Sequence, residues 1–149
     1  MKTLLFIPLL FCLLGLSYPE KQEVTIQLNE QIKGSWKSEL IQIQYIVDSH
    51  LVHEQDITPE KGNVYDFEGT VVRVKYPDGT TAQGTYSVVR EAETKKVMLH
   101  LPGTTTTYLL IAVTPTSMVW QRDLDEVYYN HGSTQKSAER AIYTEVFKK

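Results

Sequence analysis

Residues 63–90 read NVYDFEGTVVRVKYPDGTTAQGTYSVVR, and they give the strongest indication of the fold. It contains three β-rich runs, which we place at Asn63 to Glu68, Thr70 to Tyr76 and Ala82 to Arg90. Each run alternates apolar and polar side chains, which is typical of a strand with one buried face. Pro77-Asp78-Gly79 favours a hairpin turn, because proline presets one φ angle and glycine accepts a positive one. Consecutive hairpins of this kind predict an antiparallel meander.

The same pattern continues on both sides of that stretch. Upstream, Gly34 to Val47 is long for a strand, and its apolar positions change phase, which indicates a bulge or bend partway along. Downstream, further runs bring the total to eight: Lys95 to Leu101, Thr105 to Val113, Ser117 to Leu124 and Ala141 to Phe147. Eight antiparallel strands that close on themselves leave no free edge. We therefore predict an all-β fold, an eight-stranded antiparallel up-and-down β-barrel, in preference to a sandwich.

Three polar segments do not fit the strand pattern. Asp48 to Gly62 contains Pro59 and has no period, so we predict a long loop and a candidate lid. Asp125 to Glu139 is predicted as a loop or short helix, with one helical turn over residues 137–140. Tyr18 to Asn29 alternates only weakly and is predicted as a lead-in or a short edge strand.

Alternation assigns one set of side chains to the barrel interior. This inward set is Tyr65, Phe67, Val72, Val74, Tyr76, Gly84, Tyr86, Val88, Val97, Leu99, Leu101, Tyr108, Leu110, Ala112, Met118 and Trp120. Its only titratable groups are tyrosines. A barrel of eight strands can be filled by such side chains or can enclose one small ligand, and the sequence leaves both alternatives open.

The first 17 residues have the pattern of a signal peptide. Lys2 precedes an apolar run from Leu4 to Leu14, and small residues follow at Gly15 and Ser17, so we expect cleavage before Tyr18. The predicted domains are therefore a signal peptide at 1–17, a lead-in at 18–31 and a barrel domain at 32–149. Phe11 stands where a lipoprotein signal has a small residue, so lipid anchoring at Cys12 is not expected. The sequence predicts a secreted or periplasmic protein.

Composition and charge exclude several function classes. The chain has 149 residues, a formal charge of -3 and no dense Lys/Arg run, which argues against nucleic-acid binding. Its single cysteine, Cys12, lies in the predicted signal peptide, so the mature chain has no thiol for catalysis or metal binding. We also expect no transmembrane segment in the mature chain, and a monomer.

Motifs for catalysis and for metal binding are weak or missing. His50-Leu51-Val52-His53-Glu54 would align its ligands on a helix, but the segment is predicted as a loop and misses the HExxH pattern. The sequence also contains no Gly-x-Ser-x-Gly elbow. We therefore expect no enzyme activity, no metal site and no other cofactor.

Gly34-Ser35-Trp36 opens the first strand as the Gly-x-Trp motif opens the first strand of lipocalins, and the chain resembles a lipocalin-like domain of exported bacterial proteins. Arg140, in Arg140-Ala141-Ile142-Tyr143-Thr144-Glu145, introduces the final strand as a basic residue does in that family. The resemblance implies that Gly34 and Trp36 close the bottom of the barrel, with Arg140 over the indole and Arg122 as the rival partner. It also implies a ligand at the open end.

Together these observations predict a binding protein for a small, largely apolar molecule under the Asp48 to Gly62 segment. The predicted ligand contacts are Tyr65, Phe67, Tyr86, Leu99, Tyr108, Leu110 and Met118. The alternative is a filled barrel that acts as an envelope or interaction domain and binds a partner through Val127-Tyr128-Tyr129-Asn130. A third hypothesis is an enzyme that uses the cavity. It would need a pair of titratable side chains on the inward face.

Overall fold

The computed structural model describes residues 27–149. The predicted signal peptide, its cleavage site, Cys12 and most of the lead-in lie outside the described residues. Residues 27–32 form a short helix, α1. The strands are β1 Gly34–Val47, β2 His50–Ile57, β3 Val64–Glu68, β4 Val71–Lys75, β5 Thr81–Glu91, β6 Thr94–Leu101, β7 Thr104–Val113, β8 Ser117–His131 and β9 Thr134–Lys148.

Eight of these strands form a closed antiparallel barrel in up-and-down order. Each strand from β3 to β8 pairs with the strand that follows it. β3 also pairs with the start of β1, and β9 pairs with β1 to close the ring. The predicted eight-stranded barrel is confirmed. We call the end where β1 begins the lower end and the end where β1 finishes the upper end.

The structure corrects two of the predicted loops. The Asp48 to Gly62 segment contains β2, which pairs with the upper part of β1. The Asp125 to Glu139 segment is a continuation of the β8–β9 ladder, so the predicted helical turn at residues 137–140 is also wrong. These strand parts rise beyond the barrel, where β2 exposes both of its faces except at His53. A strand that is exposed to solvent on both faces has no alternation of apolar and polar residues, so the sequence pattern could not reveal it.

Bulges shift the side-chain phase in two barrel strands. The register of β1 shifts between Ser38 and Leu40, which confirms the bulge that its apolar phase change indicated. The register of β7 shifts between Leu110 and Ala112, so Ala112 is exposed and Val113 packs against the core instead. The inward assignment of Ala112 is therefore wrong, because alternation cannot anticipate an extra residue.

The lower end of the barrel is closed by α1. Leu28 and Ile32 belong to the core, and the Ile32 carbonyl accepts a hydrogen bond of 2.6 Å from Nε1 of the fully buried Trp36. The prediction of an edge strand here is wrong for the described residues. Leu28 and Ile32 are four residues apart, the spacing that places two side chains on one face of a helix.

Lys149, and not Arg140, covers Trp36. The Lys149 ammonium lies 4.6 Å from the centroid of the indole, next to Gly34, whose φ of 110° excludes most side chains. Arg140 lies towards the upper end of β9, opposite Ile46, and its guanidinium is 3.8 Å from Asp123. The implied role of Arg140 over the indole is therefore wrong.

Large buried side chains pack against one another in the barrel interior. Tyr65, Phe67, Tyr86, Leu99, Tyr108, Leu110 and Met118, the seven predicted ligand contacts, are all buried in the main core. Trp120 stacks on Tyr108 with ring centroids 4.2 Å apart and meets Phe147 edge-on at 4.6 Å. In the part of the chain that the structure describes, no helix is long and apolar enough to cross a membrane.

Candidate functional site

The candidate site lies on the inner face of β1, β9 and β8. Cross-strand partners share one face of a sheet, so the inward residues of these three strands form rows. From the lower end upward the rows are Ser38 with Phe147 and Met118, Ile41 with Glu145 and Trp120, Ile43 with Tyr143 and Arg122, and Tyr45 with Ala141 and Leu124. The middle rows bring polar side chains into a barrel that is otherwise apolar.

Glu145 is the centre of this polar group. Its side chain is fully buried, and its Oε2 accepts hydrogen bonds from Trp120 Nε1 at 3.1 Å and from the Tyr143 hydroxyl at 2.9 Å. Its other oxygen, Oε1, has no hydrogen-bond partner. Ser38, which is 1% exposed, lies beside the same carboxyl, and its Oγ also lacks a partner of good geometry. We call Ser38, Arg122, Tyr143 and Glu145 the polar belt.

Arg122 brings a positive charge to the belt. Its guanidinium carbon lies 5.2 Å from the ring centroid of Tyr143 and 5.6 Å from that of Tyr108. Among the described residues no carboxylate oxygen is within ion-pairing distance of it. Its Nε is buried without a hydrogen-bond partner. The charge is therefore compensated by two aromatic faces, which are weaker partners than an anion.

Burial sets the protonation of the belt. It raises the pKa of the Glu145 carboxyl above its usual range, although the Ser38, Tyr143 and Trp120 contacts and the Arg122 charge act in the opposite direction. Burial and the neighbouring Glu145 also raise the pKa of Tyr65 and of Tyr143. The belt therefore combines phenols that stay neutral, a carboxyl biased towards its protonated form, and the guanidinium of Arg122.

A second cluster lies above the belt, and we call it the upper aromatic cluster: Tyr45, His53, Tyr129 and His131. The Tyr129 ring is 4.9 Å from Tyr45 and stacks on His53 at 5.0 Å, while His131 meets His53 edge-on at 6.2 Å. Within the described residues no three His, Cys, Asp or Glu side chains are grouped to hold a metal ion. Within the cluster, Tyr129 packs on Tyr45, which is the β1 member of the row above the belt.

Tyr129 reaches this position because the β8–β9 ribbon changes direction. The register of the two strands is constant from Ser117 to His131, so alternation alone would place Tyr129 on the outer face with Gln121. The ladder lacks a pair at Glu126, which has a φ of 49°. Beyond that residue the hairpin is turned, and Tyr129 is 8% exposed whereas Tyr128 is 66% exposed.

The structure separates the seven predicted contacts into two groups. Tyr65 and Tyr108 lie next to the belt, because both rings pack on Trp120, at 5.1 Å and 4.2 Å, and the Trp120 indole donates to Glu145. The other five residues lie in the packed core, where Phe67 meets Tyr86 edge-on at 4.9 Å. Whether any of the seven contacts a ligand stays a prediction.

Sequence reasoning missed the belt itself. The expectation that tyrosines are the only titratable inward groups is wrong, since Glu145 and Arg122 also belong to the inward rows. Alternation along Ala141-Ile142-Tyr143-Thr144-Glu145-Val146-Phe147 places Glu145 on the same face as Phe147, and this signal could have found it. Arg122 follows Trp120 by two residues and shares its face in the same way.

Surface depressions on the described residues lie outside the barrel. A groove of about 460 Å³ on its outer wall is lined by residues that include Lys96, Leu109, Gln121 and Arg140. Arg140 is already paired with Asp123, and Lys96 is paired with Glu91 at 2.6 Å. Arg122 also lines this groove and has no ion pair with a described residue, so the one unpaired basic side chain of the groove is a member of the belt.

Comparisons with known proteins found no match. No family model, no curated protein and no solved structure is significantly similar to the chain. The eight-stranded barrel is consistent with the lipocalin-like fold that the sequence resembles. Function is therefore inferred from the belt and its surroundings.

Proposed function

We propose that this protein binds a small, largely apolar molecule in the upper half of its barrel, with a polar group of that molecule at the belt. The observation that carries the proposal is the buried Arg122 Nε, which has no hydrogen-bond partner, beside a Ser38–Glu145 pair whose Oγ and Oε1 lie close together without good hydrogen-bond geometry. Buried polar atoms in folded proteins almost always have a hydrogen-bond partner, and exceptions concentrate at functional sites. A bound molecule with complementary polar atoms would supply these partners.

The difference between the two ends of the barrel favours entry of the ligand from the upper end. At the lower end, α1, Trp36 and the Lys149 side chain leave no obvious passage, since Trp36 and Ile32 are both fully buried. Ile43, in the upper row of the belt, and Leu124, in the row above it, are partly buried apolar side chains that pack against the cluster around Tyr45. The apolar part of a ligand would lie against these side chains, beneath the turned β8–β9 hairpin.

The proposal extends to the setting in which the protein works. We infer an exported, monomeric and non-enzymatic carrier, and export agrees with the signal-peptide pattern of the sequence. Ligand binding of this kind needs no cofactor. Purification of the exported protein and its mass would test the export and the monomeric state.

A titration with N-phenyl-1-naphthylamine, a neutral apolar dye, tests the proposal. We expect saturable one-to-one binding with a rise in dye fluorescence. Tyr143→Phe removes the hydroxyl that donates to Glu145 and should change the dye's Kd severalfold. Tyr128→Phe makes the same chemical change at a residue that is 66% exposed and should leave the Kd unchanged. Absence of saturable binding by the folded protein would refute the proposal.

A second candidate function, binding of a protein partner, is supported by exposed apolar side chains of β2 and of the upper part of β8. Leu51 is 57% exposed, Val52 41% and Tyr128 66%, and they lie on β2 and β8. Exposed aromatic and aliphatic side chains of this kind are typical of partner contacts. In that case Tyr128→Ala would weaken binding of the partner, and the dye would not bind to the protein.

A further inference from the structure

We propose that the polar group of the ligand is an anion, the carboxylate of an amphiphilic acid, and that Arg122 selects it. This inference rests on the proposed function, because it assigns the chemistry of the same site. If the barrel is filled and binds no ligand, both the proposed function and this inference are wrong.

The pairing of the arginines supports the choice of Arg122. The described chain contains four arginines, and the three others each contact a carboxylate: Arg73 contacts Asp66 and Glu68, Arg90 contacts Glu93, and Arg140 contacts Asp123. Those three are at the surface, where an ion pair contributes little. Arg122 is the one that points into the barrel, and it has no carboxylate partner.

The surroundings of Arg122 favour an anion. Removing a guanidinium from water is costly unless an anion or strong acceptors replace the water. The rings of Tyr108 and Tyr143 supply part of that compensation, about 0.5 to 2 kcal/mol for a cation over an aromatic face. The buried Nε has no acceptor at all. A carboxylate could accept from the planar guanidinium in the bidentate geometry that arginine favours.

A cationic ligand at Glu145 fits the belt less well. Oε2 of Glu145 is already occupied by Trp120 and Tyr143, and burial biases the carboxyl towards its neutral form. A ligand ammonium near Oε1 would also be repelled by Arg122. Glu145 instead acts as a neutral neighbour, whose protonated carboxyl can donate to the ligand.

The protonation of Glu145 then controls the affinity for the acid. The charged and titratable groups around its carboxyl are Arg122 on β8, Tyr143 on β9, Tyr65 on β3 and Tyr108 on β7. The tyrosines stay neutral over the ordinary pH range, so only Glu145 changes the net charge of the belt. An ionised Glu145 repels a carboxylate, so the affinity for the acid should fall as pH rises, while the affinity for a neutral alcohol should not.

Three probes with the same ten-carbon chain test the inference: decanoate, decan-1-ol and decyltrimethylammonium. Each would displace N-phenyl-1-naphthylamine at concentrations below its micelle-forming range. At pH 6 we expect decanoate to bind at least tenfold more tightly than decan-1-ol. Arg122→Gln should remove this preference while decan-1-ol still binds, and Arg122→Lys should keep part of it. Arg140→Gln, which removes an already paired surface charge, is the matched control and should change nothing.

The outcomes separate this inference from the proposed function. Equal affinities for decanoate and decan-1-ol would overturn the anion inference and leave ligand binding intact. Tightest binding of decyltrimethylammonium would overturn it in favour of an ionised Glu145 as the head-group contact. Binding of none of the three probes, nor of the dye, would overturn both proposals. If Arg122→Gln does not fold, the wild-type preference and its pH dependence decide the question.

Discussion

The ammonium of Lys149 lies 4.6 Å from the centroid of the Trp36 ring, so the last residue of the chain covers the first aromatic residue of the barrel. Trp36 is fully buried, and its indole N–H donates to the Ile32 carbonyl of α1 at 2.6 Å. The lower end is therefore closed by α1 and the start of β1, which are adjacent in sequence, and by Lys149, which is distant from both. Each of them should contribute to stability in proportion to its burial.

Trp36→Ala should lower the free energy of unfolding by about 3 to 5 kcal/mol, because it leaves a large cavity at the closed end. Lys149→Gln should cost about 0.5 to 1 kcal/mol, the contribution of a cation–π contact in which the cation is exposed to solvent. Denaturant unfolding would measure both. Arg140→Gln is the control, and a loss from it larger than that from Lys149→Gln would contradict the observed placement of the two cations.

Gly84 is a position where only glycine fits. A Cβ on Gly84 would lie 1.9 Å from the backbone oxygen of His100 on β6. We expect Gly84→Ala to destabilise the barrel by about 3 kcal/mol or more, since backbone atoms cannot move aside without strain. Gly69→Ala is the comparison, because Gly69 has open space and a φ of 61°, for which alanine costs about 1 to 2 kcal/mol. Similar melting temperatures for the two variants would contradict the close approach.

The barrel strands were predictable from the sequence because a closed interior imposes alternation. Val72 and Val74, for example, are both buried, and Arg73 between them is exposed. β2 has no enclosed face, and the upper parts of β8 and β9 bury little more than Tyr129 and Ala138, so their sequences resemble loops. The polar belt depends on which residues of β8 and β9 stand opposite each other, such as Arg122 and Tyr143. That register is a property of the closed sheet and not of a local sequence pattern.

The turned β8–β9 hairpin provides a test with a matched pair of neighbouring tyrosines. Tyr129→Ala should lower the free energy of unfolding by about 3 kcal/mol, because Tyr129 packs on Tyr45 and stacks on His53. Tyr128→Ala should change it by less than about 0.5 kcal/mol, because that side chain is 66% exposed. Hydrogen exchange would show faster exchange of the upper β8 and β9 amides in the Tyr129 variant alone. Equal effects of the two substitutions would mean that the hairpin does not pack on Tyr45.

Glu145 should make the stability of the protein depend on pH. Burial raises the pKa of its carboxyl in the folded state, so over a window above the usual carboxyl range the folded protein holds a proton that the unfolded chain has released. The free energy of unfolding must therefore fall as pH rises through that window, by at most about 1.4 kcal/mol per pH unit for one proton. The full contribution of the protonated carboxyl is present below the unfolded pKa. Urea unfolding at intervals between pH 4 and pH 8 would measure this slope.

Glu145→Gln separates the titration of this residue from its hydrogen bonds. The amide oxygen can still accept from Trp120 and Tyr143, but the side chain no longer titrates. We expect the variant to lose the downward slope and, at pH 7, to be as stable as the wild type or more stable, because the cost of a buried charge is gone. Glu60→Gln, at an exposed position, should keep the wild-type slope. An unchanged slope in Glu145→Gln, with lower stability at every pH, would show that the carboxylate stays ionised inside the barrel, held by Arg122.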